Sequence, residues 1–229
     1  MSDAAAGQTG RRRLPPAAPR TLERRAWADG HELVAGVDEA GRGALAGPVV
    51  AAAVILPAKS RIPHVTDSKL LAPDDRAALW ERITAEAITW AVGVVEADAI
   101  DRINILRATH RAMHEALAAL EPAPALVLVD GLPLPGSGFT QRNVIGGDRR
   151  SYTIAAASII AKVTRDRIMC ELGDAYPQYG FAEHKGYATP PHLQALRQHG
   201  PCPVHRMSFA PCRECSQLAL FAPEGPAFP

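Results

Sequence analysis

Several features that define common protein classes are scarce in this 229-residue sequence. Aromatic residues make up 5% of the chain and the formal net charge is +1, which argues against a strongly basic protein that wraps DNA. No apolar run reaches the about 20 residues that cross a bilayer. Four cysteines do not indicate a disulfide framework in a chain this long. The N-terminal region lacks the apolar segment of a signal peptide, so we expect a cytoplasmic protein without membrane contact.

Composition divides the chain into three parts. Residues 1–30 contain too little apolar surface to offset the entropy of ordering, so we predict a disordered basic tail there. Residues 31–210 are predicted to form the folded domain, because strand-like and helix-like patterns alternate along them. Residues 211–229, rich in Cys, Pro, Phe and Ala, are predicted to form a flexible C-terminal tail.

Apolar periodicity predicts five strands and four helices in the folded part. The strands are Leu33–Val37, Pro48–Leu56, Thr89–Val95, Ala125–Val129 and Asn143–Ile145. The helices are Pro73–Ile88, Ile103–Leu120, Tyr152–Leu172 and Pro190–His199. Strands that alternate with helices in this way predict a layered α/β domain.

Four acids lie at the ends of these apolar segments. Asp38 and Glu39 follow the first strand, Asp130 ends "ALVLVD", and Asp148 lies in "GGDRR" ahead of the longest helix. Adjacent strand residues point to opposite faces, so Asp38 and Glu39 serve one site only if the strand ends there. Carboxylates that converge beyond strand ends would repel one another without cations, and Mg²⁺ or Mn²⁺ suits an all-oxygen site. Two such ions about 3.5–4 Å apart can clamp a phosphodiester.

The alternative is that these acids are ordinary cap and turn residues. The chain contains 24 acids, and a single Asp at a strand end is often no more than a cap. Asp98, Asp101 and Asp166 are the competing candidates for a metal site.

The motif "GRGALAG" needs a separate explanation. It does not fit a dinucleotide-binding fingerprint, because Gly47 comes one position late and Pro48 leads into a strand instead of a helix. Gly41 and Gly43 allow close approach of the backbone to a ligand, with Arg42 near a phosphate. The alternative is a tight turn that only joins two strands.

Six motifs, in order between Leu33 and Phe209, resemble bacterial ribonuclease HII. They are "GVDEAGRGALAGPVVAAAVIL", "DSKLL", "NILRATHRAM", "LVDG", "AAASIIAKVTRDR" and "YPQYGFAEHKGYATPPH". The resemblance implies a ribonuclease H-like three-layer α/β fold, with a central mixed five-stranded sheet flanked by helices and a helical C-terminal extension. It also implies an endonuclease that hydrolyses the RNA strand of RNA/DNA hybrids. Such an enzyme nicks duplex DNA on the 5′ side of a single embedded ribonucleotide, leaving 3′-hydroxyl and 5′-phosphate ends.

The resemblance also implies roles for individual residues. Asp38, Glu39, Asp130 and Asp148 would hold two Mg²⁺ or Mn²⁺ ions when substrate is bound. The backbone of Gly41, Arg42 and Gly43 would sense the 2′-hydroxyl that distinguishes RNA from DNA. Tyr187 would pack against the following deoxyribose, which favours an RNA-to-DNA step. Predicted contacts to the substrate backbone are Ser68 and Lys69 of "DSK", Lys162, His184 and Lys185.

Two short patterns lie near the C-terminus. Gln217, Leu218, Leu220 and Phe221 resemble the peptide by which bacterial replication proteins bind the sliding clamp; the alternatives are a segment that folds back or a chance match. Cys212 and Cys215 have metal-like C-x₂-C spacing, which Cys202 and His205 would complete. Reduced thiols without a metal are the alternative.

Two other functions remain open from the sequence. One is a non-catalytic module that binds hybrids or the clamp and has kept the fold. The other is a different two-metal phosphoryl enzyme, such as a phosphatase, which leaves the Gly41–Gly43 turn and Tyr187 without a purpose. The family suggests a monomer.

Overall fold

The computed structural model describes residues 13–220, and the side chains of residues 13–216. One five-stranded sheet consists of β1 (Val34–Ala40), β2 (Val49–Ile55), β3 (Thr89–Val95), β4 (Leu126–Asp130) and β5 (Gln141–Val144). Its strand order is β3-β2-β1-β4-β5. β1 pairs antiparallel to β2, and β2 to β3, whereas β1–β4 and β4–β5 are parallel. The predicted mixed sheet of five strands is therefore confirmed.

Helices cover both faces of this sheet. They are α1 (Thr21–Ala28), α2 (Pro73–Glu86), α3 (Ala97–Ile103), α4 (Ile105–Ala118), α5 (Tyr152–Ala175), α6 (Phe181–His184), α7 (Pro190–His199) and α8 (Ala210–Leu220). The last three make up the predicted helical C-terminal part. Within residues 13–220, no helix combines the length and apolarity needed to span a membrane.

Alternation along β2 shows how the layers form. Val49 and Ala51 belong to the core against α3 and α4, whereas Ala52 and Val54 belong to the core against α2 and α5. Both faces of the strand are buried, which explains its continuous apolar sequence. The fold is thus a three-layer α/β sandwich, as predicted.

A glycine in β1 lets the longest helix lie directly on the sheet. A Cβ on Gly36 would overlap the main chain of Thr153, in the first turn of α5. Because residues 36 and 38 point to the same face of the strand, this close approach brings the start of α5 next to Asp38.

The prediction that residues 1–30 are disordered is wrong for residues 13–30; residues 1–12 lie outside the described part of the chain. Helix α1 packs Ala26 against β1, β4 and β5. The Arg20 guanidinium donates to the carbonyls of Ser60 (2.6 Å) and Ala58 (2.8 Å). The buried Glu23 carboxylate accepts hydrogen bonds from α5. Specific polar contacts thus order a segment whose apolar content is too low to predict folding.

The other corrections concern helix boundaries. The predicted helix Ile103–Leu120 corresponds to α4, which begins at Ile105 after Asn104, a residue with a φ of 68°. The preceding helix α3 (Ala97–Ile103) was not predicted. The predicted flexible tail is wrong for residues 211–216, because α8 begins at Ala210 and buries Cys212 against Leu45. The side chains of Gln217, Leu218 and Leu220, and all of Phe221, lie outside the described residues.

Candidate active site

Three of the four predicted acids converge at one edge of the sheet. Val37 of β1 pairs with Val129 of β4, so Asp38 and Asp130 come next on adjacent parallel strands, which lie about 4.8 Å apart. Asp148 lies in the 3₁₀ turn Gly147–Arg149, directly before α5. The parallel pairing of β1, β4 and β5 thus brings acids distant in sequence to one carboxyl edge.

Glu39 reaches the same region although β1 does not end where the sequence predicted. The strand continues to Ala40, so Asp38 and Glu39 are both strand residues. Both nevertheless line one groove of about 480 Å³, together with Ala40, Gly41, Arg42, Gly43, Ser68, Lys69, Lys162 and Tyr187. The groove therefore collects seven of the nine predicted substrate contacts beside two of the acids.

Burial and mutual repulsion raise the pKa values of three acids. The pKa of Asp38 lies well above its ordinary value, because the carboxyl is buried and because Glu39, Asp130 and Asp148 are close; a hydrogen bond from the Glu39 amide (2.7 Å) opposes the shift. Burial also raises the pKa of Glu39, against the effect of the nearby Arg42. The pKa of Asp148 rises through burial and through its acidic neighbours Asp67 and Asp130.

Protein donors hold these carboxylates apart. Glu39 pairs with Arg42 (3.2 Å), and Asp130 accepts from the amide of Gly147 (2.6 Å). Within the described residues, no three His, Cys, Asp or Glu side chains form a closed metal-binding group. The donor set still fits a hard divalent cation, since it offers only carboxylate oxygens whose repulsion a cation would relieve.

Asp67 is a site residue to which the sequence analysis gave no role of its own. It is 1% exposed and accepts from the Arg149 guanidinium (2.8 and 3.0 Å) and from the Lys69 amide (2.9 Å). Burial opposes ionisation, but these hydrogen bonds outweigh it and lower the pKa of Asp67. The pair fixes the loop that carries Lys69 next to Asp148. Its position in "DSK" is the signal that could have identified it.

Two buried arginines position the Gly41–Gly43 turn. Arg165 of α5 donates to the carbonyls of Pro48 (2.9 Å) and Ala46 (3.1 Å) behind the turn, and Arg206 donates to Arg42 and Gly47 (both 3.0 Å). Burial, with Arg165 nearby, lowers the pKa of Arg206 to about 9. The hydrogen bonds to backbone oxygens compensate each guanidinium for the loss of water on burial.

Tyr187 forms the opposite side of the groove. Its ring is partly exposed and lies 5.4 Å from the Arg165 guanidinium and 5.9 Å from the Lys162 ammonium. Lys162 in turn pairs with Asp166 (2.6 Å). Tyr187 and Lys162 therefore line this side of the groove together.

His184 and Lys185 lie elsewhere, in a neighbouring cavity of about 810 Å³ that shares Lys162 and Tyr187 with the groove. Both ring nitrogens of His184 are engaged by main chain, with Tyr179 O at 2.7 Å and Gly186 N at 3.2 Å. Contact of His184 with a phosphate would require one of these hydrogen bonds to be exchanged, and it stays a prediction. The Lys185 ammonium donates to Ala182 O (2.5 Å).

The competing acids have structural partners. Asp98 is exposed and pairs with Arg102, and Asp101 accepts from the amides of Met207 and Ser208. Asp166 pairs with Lys162, as described above.

The C-x₂-C pattern does not form a metal site in the described residues. Cys212 is buried, and burial raises the pKa of its thiol to about 12. Burial therefore favours the protonated thiol of Cys212.

Comparison with known proteins agrees with this arrangement. The family model for ribonuclease HII matches residues 35–212. The chain is 55% identical over 192 residues to ribonuclease HII of Geobacillus thermodenitrificans, and 51% identical over 192 residues to that of Desulfitobacterium hafniense. Each alignment covers 84% of this chain and 74% of the relative.

Three solved structures share the fold. Ribonuclease H2 from Pyrococcus horikoshii has a TM-score of 0.70 at 27% identity, covering 83% of this chain and all of that one. The PCNA:RNase HII complex of Archaeoglobus fulgidus gives 0.66 at 27%, covering 76% and 92%. Bst-RNase HIII in complex with Mn²⁺ gives 0.64 at 19%, covering 82% and 70%, which supports the fold alone. On the family match and these identities, the chain belongs to the ribonuclease HII family of metal-dependent ribonuclease H hydrolases.

Proposed function

We propose that this ribonuclease H cuts the RNA strand of RNA/DNA hybrids and nicks duplex DNA on the 5′ side of a single ribonucleotide, leaving 3′-hydroxyl and 5′-phosphate ends. One observation carries the proposal. Asp38 and Glu39 line a groove whose walls are the Gly41–Gly43 turn and Tyr187, and Asp130 follows on the parallel strand next to that of Asp38. A cluster of acids alone would be compatible with many enzymes of phosphoryl transfer. The Gly41–Gly43 turn and Tyr187 add groups that can distinguish ribose from deoxyribose.

The walls explain the selection of RNA. The turn at Gly41–Gly43 presents main chain to the groove, and a Cβ on Gly43 would meet no described atom within 4 Å. Backbone groups there can approach the 2′-hydroxyl, which DNA lacks. On the other wall, the Tyr187 ring would pack on the next sugar and tolerate a deoxyribose better than a ribose. Together the two walls favour an RNA-to-DNA step.

The acids are proposed to hold two divalent ions, Mg²⁺ or Mn²⁺, in the presence of substrate. Asp38, Glu39, Asp130 and Asp148 would supply the oxygen ligands. Bound ions of this kind activate water and stabilise the departing 3′-oxygen of a phosphodiester. The protein's own contribution is to fix the carboxylates at one sheet edge. Lys69, Lys162 and Arg42 would orient the phosphates without reading bases.

A nicking assay tests the proposal directly. The substrate is duplex DNA with one ribonucleotide, incubated with Mg²⁺, with Mn²⁺ or with EDTA. We expect one cut, 5′ of the ribonucleotide, in both metal arms and none with EDTA. An uncut duplex in both metal arms would contradict the proposal.

Two control substrates separate the competing functions. An all-DNA duplex and a small phosphate ester should both remain intact. Hydrolysis of the ester would favour a phosphatase, whereas binding of hybrid without any cleavage would favour a non-catalytic module.

The Tyr187→Ala variant tests the sugar-reading wall. Loss of the ring should slow nicking at a lone ribonucleotide about tenfold or more, because loose placement of the reacting groups is costly. Cleavage within a continuous RNA strand should change less. Unchanged nicking would remove Tyr187 from the site.

We further propose that residues 216–221 bind the replication sliding clamp. The support is the sequence "SQLALF", whose first five residues are the last five of α8, together with the solved PCNA:RNase HII complex of Archaeoglobus fulgidus. Removal of residues 216–229 should abolish clamp binding in a pull-down with purified clamp. Nicking of naked duplex should stay unchanged. Equal clamp affinity before and after the deletion would refute this part of the proposal.

We propose a cytoplasmic monomer as the working form, since one chain supplies both walls of the groove and all four acids. Analytical ultracentrifugation of the active protein tests the oligomeric state.

A further inference from the structure

A buried chain of hydrogen bonds lies beneath the loop that carries Tyr187, outside the groove. Its members are His192 of α7, and Cys202 and His205 of the segment between α7 and α8. His192 is 0% exposed and His205 is 2% exposed. The Nε2 atoms of the two rings are 3.1 Å apart, and His192 Nδ1 lies 2.9 Å from the carbonyl oxygen of Tyr187. The chain thus ends on the main chain of a groove residue.

The partners fix where the protons lie. The Tyr187 carbonyl only accepts, so His192 Nδ1 carries a proton and its Nε2 is bare. The Cys202 amide donates to His205 Nδ1 (3.0 Å), with the thiol sulfur at 3.1 Å, so the proton of His205 is on Nε2 and points at His192. Each hydrogen bond therefore donates in the same direction, from the Cys202 amide through His205 and His192 to the Tyr187 carbonyl. In this arrangement both rings are neutral.

The loop above this chain is held at every carbonyl from Lys185 to Tyr187. Arg165 donates to Lys185 O (3.0 Å), the Leu45 amide to Gly186 O (2.8 Å), and His192 to Tyr187 O. Lys185 and Gly186 have φ values of 54° and 77°. A non-glycine residue in this region is strained and persists only where surrounding contacts hold it.

We propose that His192 and His205 are positioning residues for Tyr187, through which they set the preference for an RNA-to-DNA step. This inference rests on the proposed function. Neither ring lines the groove, so each acts through the Tyr187 backbone. A metal role is disfavoured, because every ring nitrogen is used in the hydrogen-bond chain and no metal-binding group of three is formed in the described residues.

The experiment compares two substitutions at one position. His192→Asn keeps an amide donor near the position of Nδ1, whereas His192→Leu fills similar space without a donor. For each variant we measure nicking at a lone ribonucleotide, cleavage within a continuous RNA strand, and the thermal midpoint. For H192L, the rate of nicking at a lone ribonucleotide should fall about tenfold relative to the rate of cleavage within a continuous RNA strand, because the contact of Tyr187 with the sugar is misplaced. H192N should retain most of the wild-type ratio.

A double-mutant cycle separates positioning from a general loss of structure. If His192 acts through Tyr187, H192L should leave the ratio unchanged in a Tyr187→Ala background. The inference would be overturned if H192L lowered both cleavage rates equally. It would also be overturned if H192L still lowered the ratio of the two rates in the Y187A background.

A second pair of variants covers the case in which H192L does not fold. His205→Gln keeps a donor toward His192, and His205→Asn does not reach it. The ratio should be lower in H205N than in H205Q; equal ratios would contradict the inference. Failure of the wild-type protein to nick a lone ribonucleotide would instead refute the proposed function, so the two failures are distinguishable.

Discussion

The folded protein disfavours the ionised form of Asp38. Its carboxyl is buried, and three other acids raise its pKa further. Such an arrangement is unfavourable for the protein alone, and it becomes favourable when a cation is bound. Burial among other acids therefore makes Asp38 destabilising in the metal-free protein and, for the same reason, the central candidate ligand for a cation.

The Asp38→Asn variant should lose cleavage with Mg²⁺ and with Mn²⁺ while it still binds hybrid. We expect a loss beyond about 100-fold, since altering even a partner of a metal ligand costs about 10- to 100-fold. In EDTA its thermal midpoint should rise, because one buried charge is removed from a group of like charges. Cleavage rates and thermal denaturation check the two effects.

Asp98→Asn is the matched control for that variant. Asp98 is exposed and pairs with Arg102, so the same change there should alter neither property. Full cleavage by D38N would contradict the assignment of Asp38.

The two glycines of the turn should respond differently to alanine. Gly41 has a φ of 94°, and a Cβ there would overlap Arg165, so Gly41→Ala should destabilise the fold. Gly43 has open space around its Cβ position, so Gly43→Ala should change stability by less than about 0.5 kcal/mol. It should nevertheless slow nicking, because the methyl group occupies the approach to the ribose. Normal nicking by G43A would place the 2′-hydroxyl elsewhere.

Single residues were predictable where a motif marked them. The register of β1 and β4 places Asp38 and Asp130 on adjacent strands, and Asp148 lies in the turn before α5; their role as metal ligands stays a prediction. Arg165 and Arg206 were not predictable, because their partners are carbonyl groups that no side-chain pattern reveals.

Helix α1 shows why element prediction failed at the N-terminus. The helix offers few apolar residues, but the buried Glu23 carboxylate accepts from Ser151 Oγ (2.6 Å), Thr153 N (3.0 Å) and Thr153 Oγ1 (3.0 Å). These donors lie at the N-terminus of α5, where the helix dipole favours an anion. A contact across 128 residues of sequence is invisible to a local pattern.

Glu23→Ala should therefore destabilise the protein by about 1–3 kcal/mol, because it leaves buried donors at the start of α5 unsatisfied. Urea denaturation measures the change. Arg24→Ala is the control on the same helix, since residue 24 is exposed. Equal stability of both variants would show that α1 does not support α5.

The division between α3 and α4 has a different cause. The predicted helix began at Ile103, so it includes α4 and only the last residue of α3, which was not predicted. Asn104 interrupts it with a positive φ and caps α4 by accepting from the Arg107 amide (3.1 Å). Asn serves as a cap and visits this backbone region more readily than most residues, but the sequence alone does not show when it does so.

His205 should make the folded protein less stable as the pH falls from 6.5 toward about 4. Burial, with His192 and His184 nearby, lowers the pKa of His205 to about 4. The unfolded chain therefore takes up more protons in this range, so folding is favoured fully above pH 6.5 and less at each lower pH. Other groups in contact with the ring are Cys202, Tyr179 and Phe181.

The acids of the groove act in the opposite direction, because their raised pKa values favour the fold at low pH. The contribution of His205 is therefore isolated by comparing the wild type with His205→Gln at each pH. The free energy of unfolding should fall less steeply in H205Q as the pH decreases from 6.5. Parallel curves would show that His205 does not titrate with folding.

The arrangement of the whole sheet was predictable from the family resemblance, and local patterns supplied only its strands. Alternation predicts β1 and β4 separately, but not that they are adjacent and parallel. Adjacency depends on contacts distant in sequence, such as those of α5 with both strands.

Arg206 secures the turn that follows β1, through Arg42 and Gly47, from more than 150 positions downstream. A chain synthesised only as far as α7 (Pro190–His199) already carries Asp38 and Asp130 but lacks these hydrogen bonds. The turn that lines the groove beside Asp38 and Glu39 is therefore completed only when the segment that contains Arg206 has folded against it.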